Sequence, residues 1–271
     1  MRVAVKVGYD GTKFHGSQVQ PGVRTVHGEL AQALREMGHP EPHVLWAGRT
    51  DAGVSAAGNV AVFETHVMPA SLLPGLSHRM EDAWAWAWTE VGAEFEPRVA
   101  RRRRYRYLLR TGAPAERVAE ALAVFEGTHD FTHFCKLEEG VDPRRTVFAT
   151  RARRDGPHVV IDVEGESFLW NQVRRMVAAA ERIAEGRAER KEVEILLAKG
   201  AQAPPQAHSG GFGTADPEPL MLVDVEYAGL AFERAADPAR ALLRLARRET
   251  EAERALAMLR AMREAAEGER G

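Results

Sequence analysis

The sequence predicts an α+β fold of two similar halves, each a mainly antiparallel sheet with helices, facing each other across a basic cleft. Strand-period runs, in which apolar and polar residues alternate, recur at 2–9, 103–110, 145–153 and 158–163. Helix-period runs fall between them at 25–37, 113–125 and 168–182. The halves echo each other: Val3-Ala4-Val5-Lys6-Val7 with its loop and helix is matched by Val159-Val160-Ile161-Asp162-Val163 with Gly165 and a helix.

In chain order, Val3, Val5 and Val7 share one side of the first strand, which ends at Asp10-Gly11. The loop 12–24 is long and polar, with Phe14-His15-Gly16-Ser17-Gln18 in it, a composition that suits a functional loop. A helix is expected from Thr25 to about Met37, then strands at 43–47 and 59–64. A helix over 68–80 is expected to be interrupted at Pro74-Gly75. Trp84, Trp86 and Trp88 alternate with alanines, which sets three indoles on one strand face, packed on a helix or a subunit partner. The polar connector 92–102 marks a boundary between an N-terminal domain, 1–102, and a C-terminal domain, 103–230. In the latter the helix over 168–182 is expected to open at Ser167, and another spans 191–199. Residues 200–219 are expected to be mobile, and 220–227 to form a closing strand. Residues 231–271 are a helical extension, with Leu242, Leu245, Leu256, Leu259 and Met262 at helical spacing, packed on the body or against a partner.

A hydrophobic content of 45% and a charged content of 28% are those of a soluble globular protein, and no apolar run has membrane-spanning length. One cysteine, Cys135, excludes an intramolecular disulfide and fits a cytoplasmic setting. His129 and His133 stand near it, but the paired spacing of a zinc site is absent. The net charge of -2 conceals a skewed distribution, with seven arginines and no acid between Arg98 and Arg110. Five more lie between Arg144 and Arg154. Such patches are the electrostatic footprint of a polyanion site.

The stretch Gly48-Arg49-Thr50-Asp51-Ala52-Gly53-Val54-Ser55-Ala56 lies between two strand patterns. It holds one carboxylate on a glycine-flanked turn, where a ligand can reach it. Three further pieces accompany it: Arg103-Arg104-Tyr105-Arg106-Tyr107, Gly127-Thr128-His129-Asp130-Phe131, and Phe168-Leu169-Trp170-Asn171-Gln172-Val173-Arg174-Arg175-Met176. In this order, and from about Val3 to Tyr227, the chain resembles the TruA-type tRNA pseudouridine synthases.

That resemblance implies isomerisation of uridine to pseudouridine at positions 38 to 40 of the tRNA anticodon arm, without metal or organic cofactor, by a homodimer with tRNA lying across both subunits. It implies that Asp51 is the nucleophile, that Tyr105 lies against the target base, that Arg174 pairs with Asp51, and that Arg49 takes the space of the flipped nucleotide. Gln18, Arg103 and Arg104 join Arg49 and Tyr105 as expected substrate contacts, and only one of Tyr105 and Tyr107 is expected to face the site. The chemistry agrees: a nucleophilic carboxylate must be ionised, and a neighbouring guanidinium favours and orients that form. The chain departs from the family pattern at Ser17, where Trp is usual, and at Ser55, where His is usual. Two other readings remain: a non-catalytic RNA-binding protein on the same scaffold, and an aspartyl-nucleophile hydrolase or phosphotransferase. The second would need another carboxylate near Asp51 to hold a metal.

Overall fold

The computed structural model describes residues 1–202, 211–234 and 239–268. The N-terminal stretch forms β1 (Arg2–Tyr9), α1 (Val26–Glu36), β2 (Leu45–Trp46), β3 (Ser55–Glu64), α2 (Pro69–Arg79) and β4 (Ala83–Glu90). The rest forms β5 (Arg102–Arg110), α3 (Ala115–Leu122), β6 (Gly127–Asp130), β7 (Arg144–Asp155), β8 (His158–Gly165), α4 (Gln172–Ala184), α5 (Arg190–Lys199), β9 (Leu220–Glu226), β10 (Glu233–Arg234) and α6 (Ala239–Gly268). The fold is α+β, built on one sheet ordered β10-β4-β1-β3-β9-β5-β8-β7-β6, with β2 also paired to β3. Every pairing is antiparallel except β3 with β9, which meet in parallel at Ser55↔Met221 and Ala56↔Leu222. That junction lies immediately after the Asp51 turn, so the turn sits at the middle of the sheet.

Several elements depart from expectation for identifiable reasons. α2 runs unbroken through Pro74, because Leu72, Leu73 and Leu76 are buried. Burial of that apolar face outweighs one missing backbone donor. β2 is only two residues long, while β3 starts at Ser55 and shortens the Asp51 loop. β6, a four-residue strand, was not expected, since Gly127-Thr128-His129-Asp130 has no apolar alternation. α4 begins at Gln172, four residues later than expected, and Ser167 is not its N-cap. Its N-cap is Asn171 in the left-handed conformation (φ 63°), which Asn tolerates better than most residues.

β5 alternates cleanly. Arg103, Tyr105, Tyr107 and Leu109 are buried, and Arg102, Arg104 and Arg106 lie on the other face. The indole-bearing face of β4 is half-buried by packing: Trp86 Nε1 donates to the Ala57 carbonyl (2.7 Å), and the Arg234 guanidinium lies over its ring. In the predicted extension, 235–238 lie outside the described residues, and α6 follows, tied to the body by Arg244 on the Met80 carbonyl (2.6 Å) and Arg248 on Asp10 and Asp82. Of the segment expected to be mobile, 203–210 lie outside the described residues. Among the described residues, no helix is long and apolar enough to cross a membrane.

Candidate active site

The Asp51 turn is built from its own sequence. Val54 N–H donates to the Asp51 carbonyl (3.1 Å), and Gly53 takes φ 86° at the third position, where a type II turn needs glycine. Gly11 lets β1 end hard against the turn: a Cβ there would stand 2.0 Å from the Val54 carbonyl oxygen.

Behind the turn lies a buried polar cluster. Ser17 N–H donates to the Thr50 carbonyl (3.0 Å), and Thr50 N–H donates to Ser17 Oγ (2.8 Å). The Tyr9 and Thr50 hydroxyls share a 2.9 Å hydrogen bond. Asn59 Nδ2 donates to the Tyr9 oxygen (3.3 Å) and to the Gly48 carbonyl (3.1 Å). Burial pushes the Tyr9 phenol well above its ordinary value. Ser55 Oγ accepts from Gly11 N–H (3.0 Å) at the other end. The two serines that depart from the family pattern therefore both brace the Asp51 turn. Each buried partner left unmatched would cost about 1–3 kcal/mol.

Arg174 arrives from α4. Its Nη1 donates to Asp51 Oδ2 (2.8 Å) and to Asn171 Oδ1 (3.0 Å), and its Nε donates to the Ala215 carbonyl (2.7 Å). It stands in the first turn of α4, where a cation opposes the helix dipole, and the Asp51 carboxylate offsets that. The pair is partly buried, with side-chain exposures of 15% for Arg174 and 25% for Asp51.

Tyr105 is buried, edge-on to Phe168 at 5.3 Å between ring centroids. Burial, opposed by Arg103 and reinforced by the Asp51 charge, raises its phenol to about 12. The tyrosine and the aspartate are thus electrostatic neighbours. Tyr107 also lies on the Tyr105 face, because residues two apart on a strand share a side, which corrects the expectation that the two lie on opposite faces so that only one can face the site.

The remaining predicted contacts divide. Arg49 is exposed and loosely paired with Glu138 (3.9 Å), and Gln18 is exposed on the loop beside Ser17. Arg103 is buried and acts as a strut: it donates to the carbonyls of Ala47 (2.8 Å), Arg98 (2.9 Å) and Glu166. Arg104 faces away from Tyr105. On that other face Arg102 pairs with Glu226 (2.7 Å) and Glu164 (3.0 Å), and Arg106 pairs with Asp162 (2.7 Å). Arg102 and Arg106 of the arginine run are therefore paired with acids on adjacent strands, which a count along the chain does not reveal. His129 and His133 are bonded to the carbonyls of Glu126 and Gly200, and among the described residues no group of three or more His, Cys, Asp or Glu is placed to hold a metal ion.

A family model described as tRNA pseudouridine synthase matches residues 121–228. The chain is 40% identical over 238 residues to tRNA pseudouridine synthase A of Pyrococcus abyssi, covering 86% of this chain and 87% of that one. It is 39% identical over 239 residues to the Pyrococcus furiosus protein of the same name, at 86% of each chain. This chain belongs to the tRNA pseudouridine synthase family. It is accordingly an isomerase. A chain of the solved H/ACA RNP bound to a substrate RNA containing 2'-deoxyuridine superposes with TM-score 0.33 at 12% identity, over 66% of this chain and 52% of that one, too loosely to carry weight. The positioning residues of the synthase that sequence reasoning missed are Tyr9, Thr50, Asn59 and Asn171. Tyr9 and Asn59 sit in apolar strand patterns, and a polar residue inside such a pattern is the signal that could have found them.

Proposed function

We propose that the synthase converts uridine to pseudouridine at positions 38–40 of the tRNA anticodon arm, with Asp51 as the nucleophile. The observation that carries this reading is the partly buried Asp51–Arg174 pair, fixed from both sides and next to a buried tyrosine. An Asp51 carboxylate oxygen attacks the ribose or the uracil ring. The N-glycosidic bond breaks and the base turns; its C5 bonds to C1′, the bond to Asp51 breaks to release the carboxylate, the C5 proton leaves, and N1 takes up a proton. Arg174 holds the carboxylate on line, and Tyr105 offers its ring to the uracil and a protonated hydroxyl for proton transfer. The target uridine leaves its stack to reach them, at a cost of a few kcal/mol offset by phosphate contacts. Arg49 takes the vacated space and Gln18 contacts the same strand; Arg103 supports the site from within, and Arg104 is not assigned to the target nucleotide.

The two-half organisation, 1–102 and 103–230 across a cleft, belongs to this proposal. The strand order supports it, since β1 to β4 lie together on one side of the β3–β9 junction and β5 to β9 on the other. A homodimer spanning the tRNA and a cytoplasmic location complete the reading. The test is pseudouridine mapping of a tRNA transcript and of one carrying cytidine at 38–40. Pseudouridine at those positions in the first and none in the second is expected. Modification elsewhere overturns the position, and none in either transcript overturns the reaction.

A further inference from the structure

Of the five tryptophans, Trp170 is the one that is exposed, at 42%. It precedes Asn171, whose side chain accepts from Arg174, which in turn holds Asp51. The indole is pinned in place. The Lys136 ammonium lies 3.8 Å from its ring centroid, and Lys136 N–H donates to the Trp170 carbonyl (2.8 Å). One ring face is thus occupied by a cation, and the exposed area lies on the remainder. Arg175 stands one helical turn beyond Asn171, with its Nε buried and without a hydrogen-bond partner among the described residues. Arg175 and Arg145 both lie close enough to Cys135, the neighbour of Lys136, for their charges to act on its thiol.

An exposed indole held by one cation, with two further cations near the neighbouring Cys135, and one residue from a nucleophile's support is an arrangement that unstacked RNA recognises. Bases splayed from a loop stack on aromatic faces, and their phosphates seek Lys and Arg. We infer that Trp170, Lys136 and Arg175 form a subsite for the nucleotide adjacent to the target uridine. The neighbouring base stacks on the open face of Trp170, and its phosphate is met by Lys136 and Arg175. The cation–π contact keeps the ring in one orientation before RNA arrives, which lowers the ordering cost of binding. This subsite rests on the reading that the target is a uridine in RNA, and it adds the element that grips the strand beside it.

The test uses an anticodon-arm RNA with 2-aminopurine at either nucleotide flanking the target, titrated with the full-length protein. Quenching at one flanking position by the wild type, absent with Trp170→Ala, is expected. Trp170→Ala should raise Kd about fivefold or more, and Trp170→Phe should recover most of that. Lys136→Gln should flatten the slope of log Kd against log salt by about 0.7–0.9, the loss of one phosphate contact. A merely structural role would move neither the salt slope nor the quench. Should Trp170→Ala fail to fold, the Phe and Gln variants with the wild-type quench still decide the matter. Equal quenching at both flanks, or an unchanged salt slope with undiminished affinity, overturns the subsite. Wild type that makes pseudouridine while these variants bind like it defeats the subsite alone; wild type that makes none defeats the proposed function.

Discussion

Arg174 donates a 2.8 Å hydrogen bond to Asp51 across 123 residues of chain, and its other bonds leave it no freedom to follow a displaced carboxylate. The guanidinium plane serves three acceptors at once: Asp51, Asn171 and the Ala215 carbonyl. A lysine ammonium is a point charge and cannot reproduce that fork.

Arg174→Lys therefore keeps the charge and loses the geometry. We expect kcat to fall about 100-fold with Kd for tRNA nearly unchanged, since a misplacement near 1 Å costs that much. Single-turnover kinetics beside a filter-binding isotherm check this. Loss of binding in proportion to rate would contradict it.

Tyr105→Phe keeps the ring against Phe168 and removes the hydroxyl. Binding should survive while kcat falls about 10-fold or more. Because burial holds the phenol at about 12, ionisation of Tyr105 should leave no limb in the wild-type pH–rate profile through neutral and mildly alkaline pH. An unchanged rate in the variant would reduce Tyr105 to a stacking platform.

Arg103 tests the distinction between strut and substrate contact. Arg103→Met leaves three carbonyls without their donor, which should cost roughly 2–4 kcal/mol of stability in urea unfolding. The salt slope of tRNA binding should not change, because this guanidinium meets no phosphate. A flatter slope with unaltered stability would return Arg103 to the RNA interface.

His27 lies in α1, stacked on Trp46 at 4.2 Å, and burial followed by the Arg49 charge lowers it from 6.5 to about 4. Between those values the unfolded chain binds the extra proton and the folded one does not. Stability therefore rises with pH across that window and falls as pH drops through it. His27→Phe keeps the stack, so its urea midpoint should change less than that of the wild type between about pH 7.5 and about pH 4.5. Identical pH dependence in both proteins would contradict this.

How much of this was legible in the chain depended on whether the information was local. Gly53 and Gly48 marked the Asp51 turn because glycine and a lone carboxylate state a backbone need directly. The 3.6-period apolar runs located α1 and α3. The start of α4 was misplaced because Phe168 and Leu169 fit a helical period, while the left-handed backbone of Asn171, which starts the helix, leaves no trace in an apolar period. The arginine run was legible as charge but not as pairing, since Glu164 and Glu226 reach Arg102 only through the sheet register. Arg103 and Arg104 are neighbours in sequence with opposite fates, decided by the pleat that buries one and turns the other outward.

The proposed reaction stands or falls with Asp51 as the attacking group. Its most direct test is pseudouridine mapping of tRNA incubated with wild type and with Asp51→Asn, alongside tRNA binding by both. The variant should bind tRNA yet form no pseudouridine. Residual turnover by Asp51→Asn at the wild-type position would contradict it.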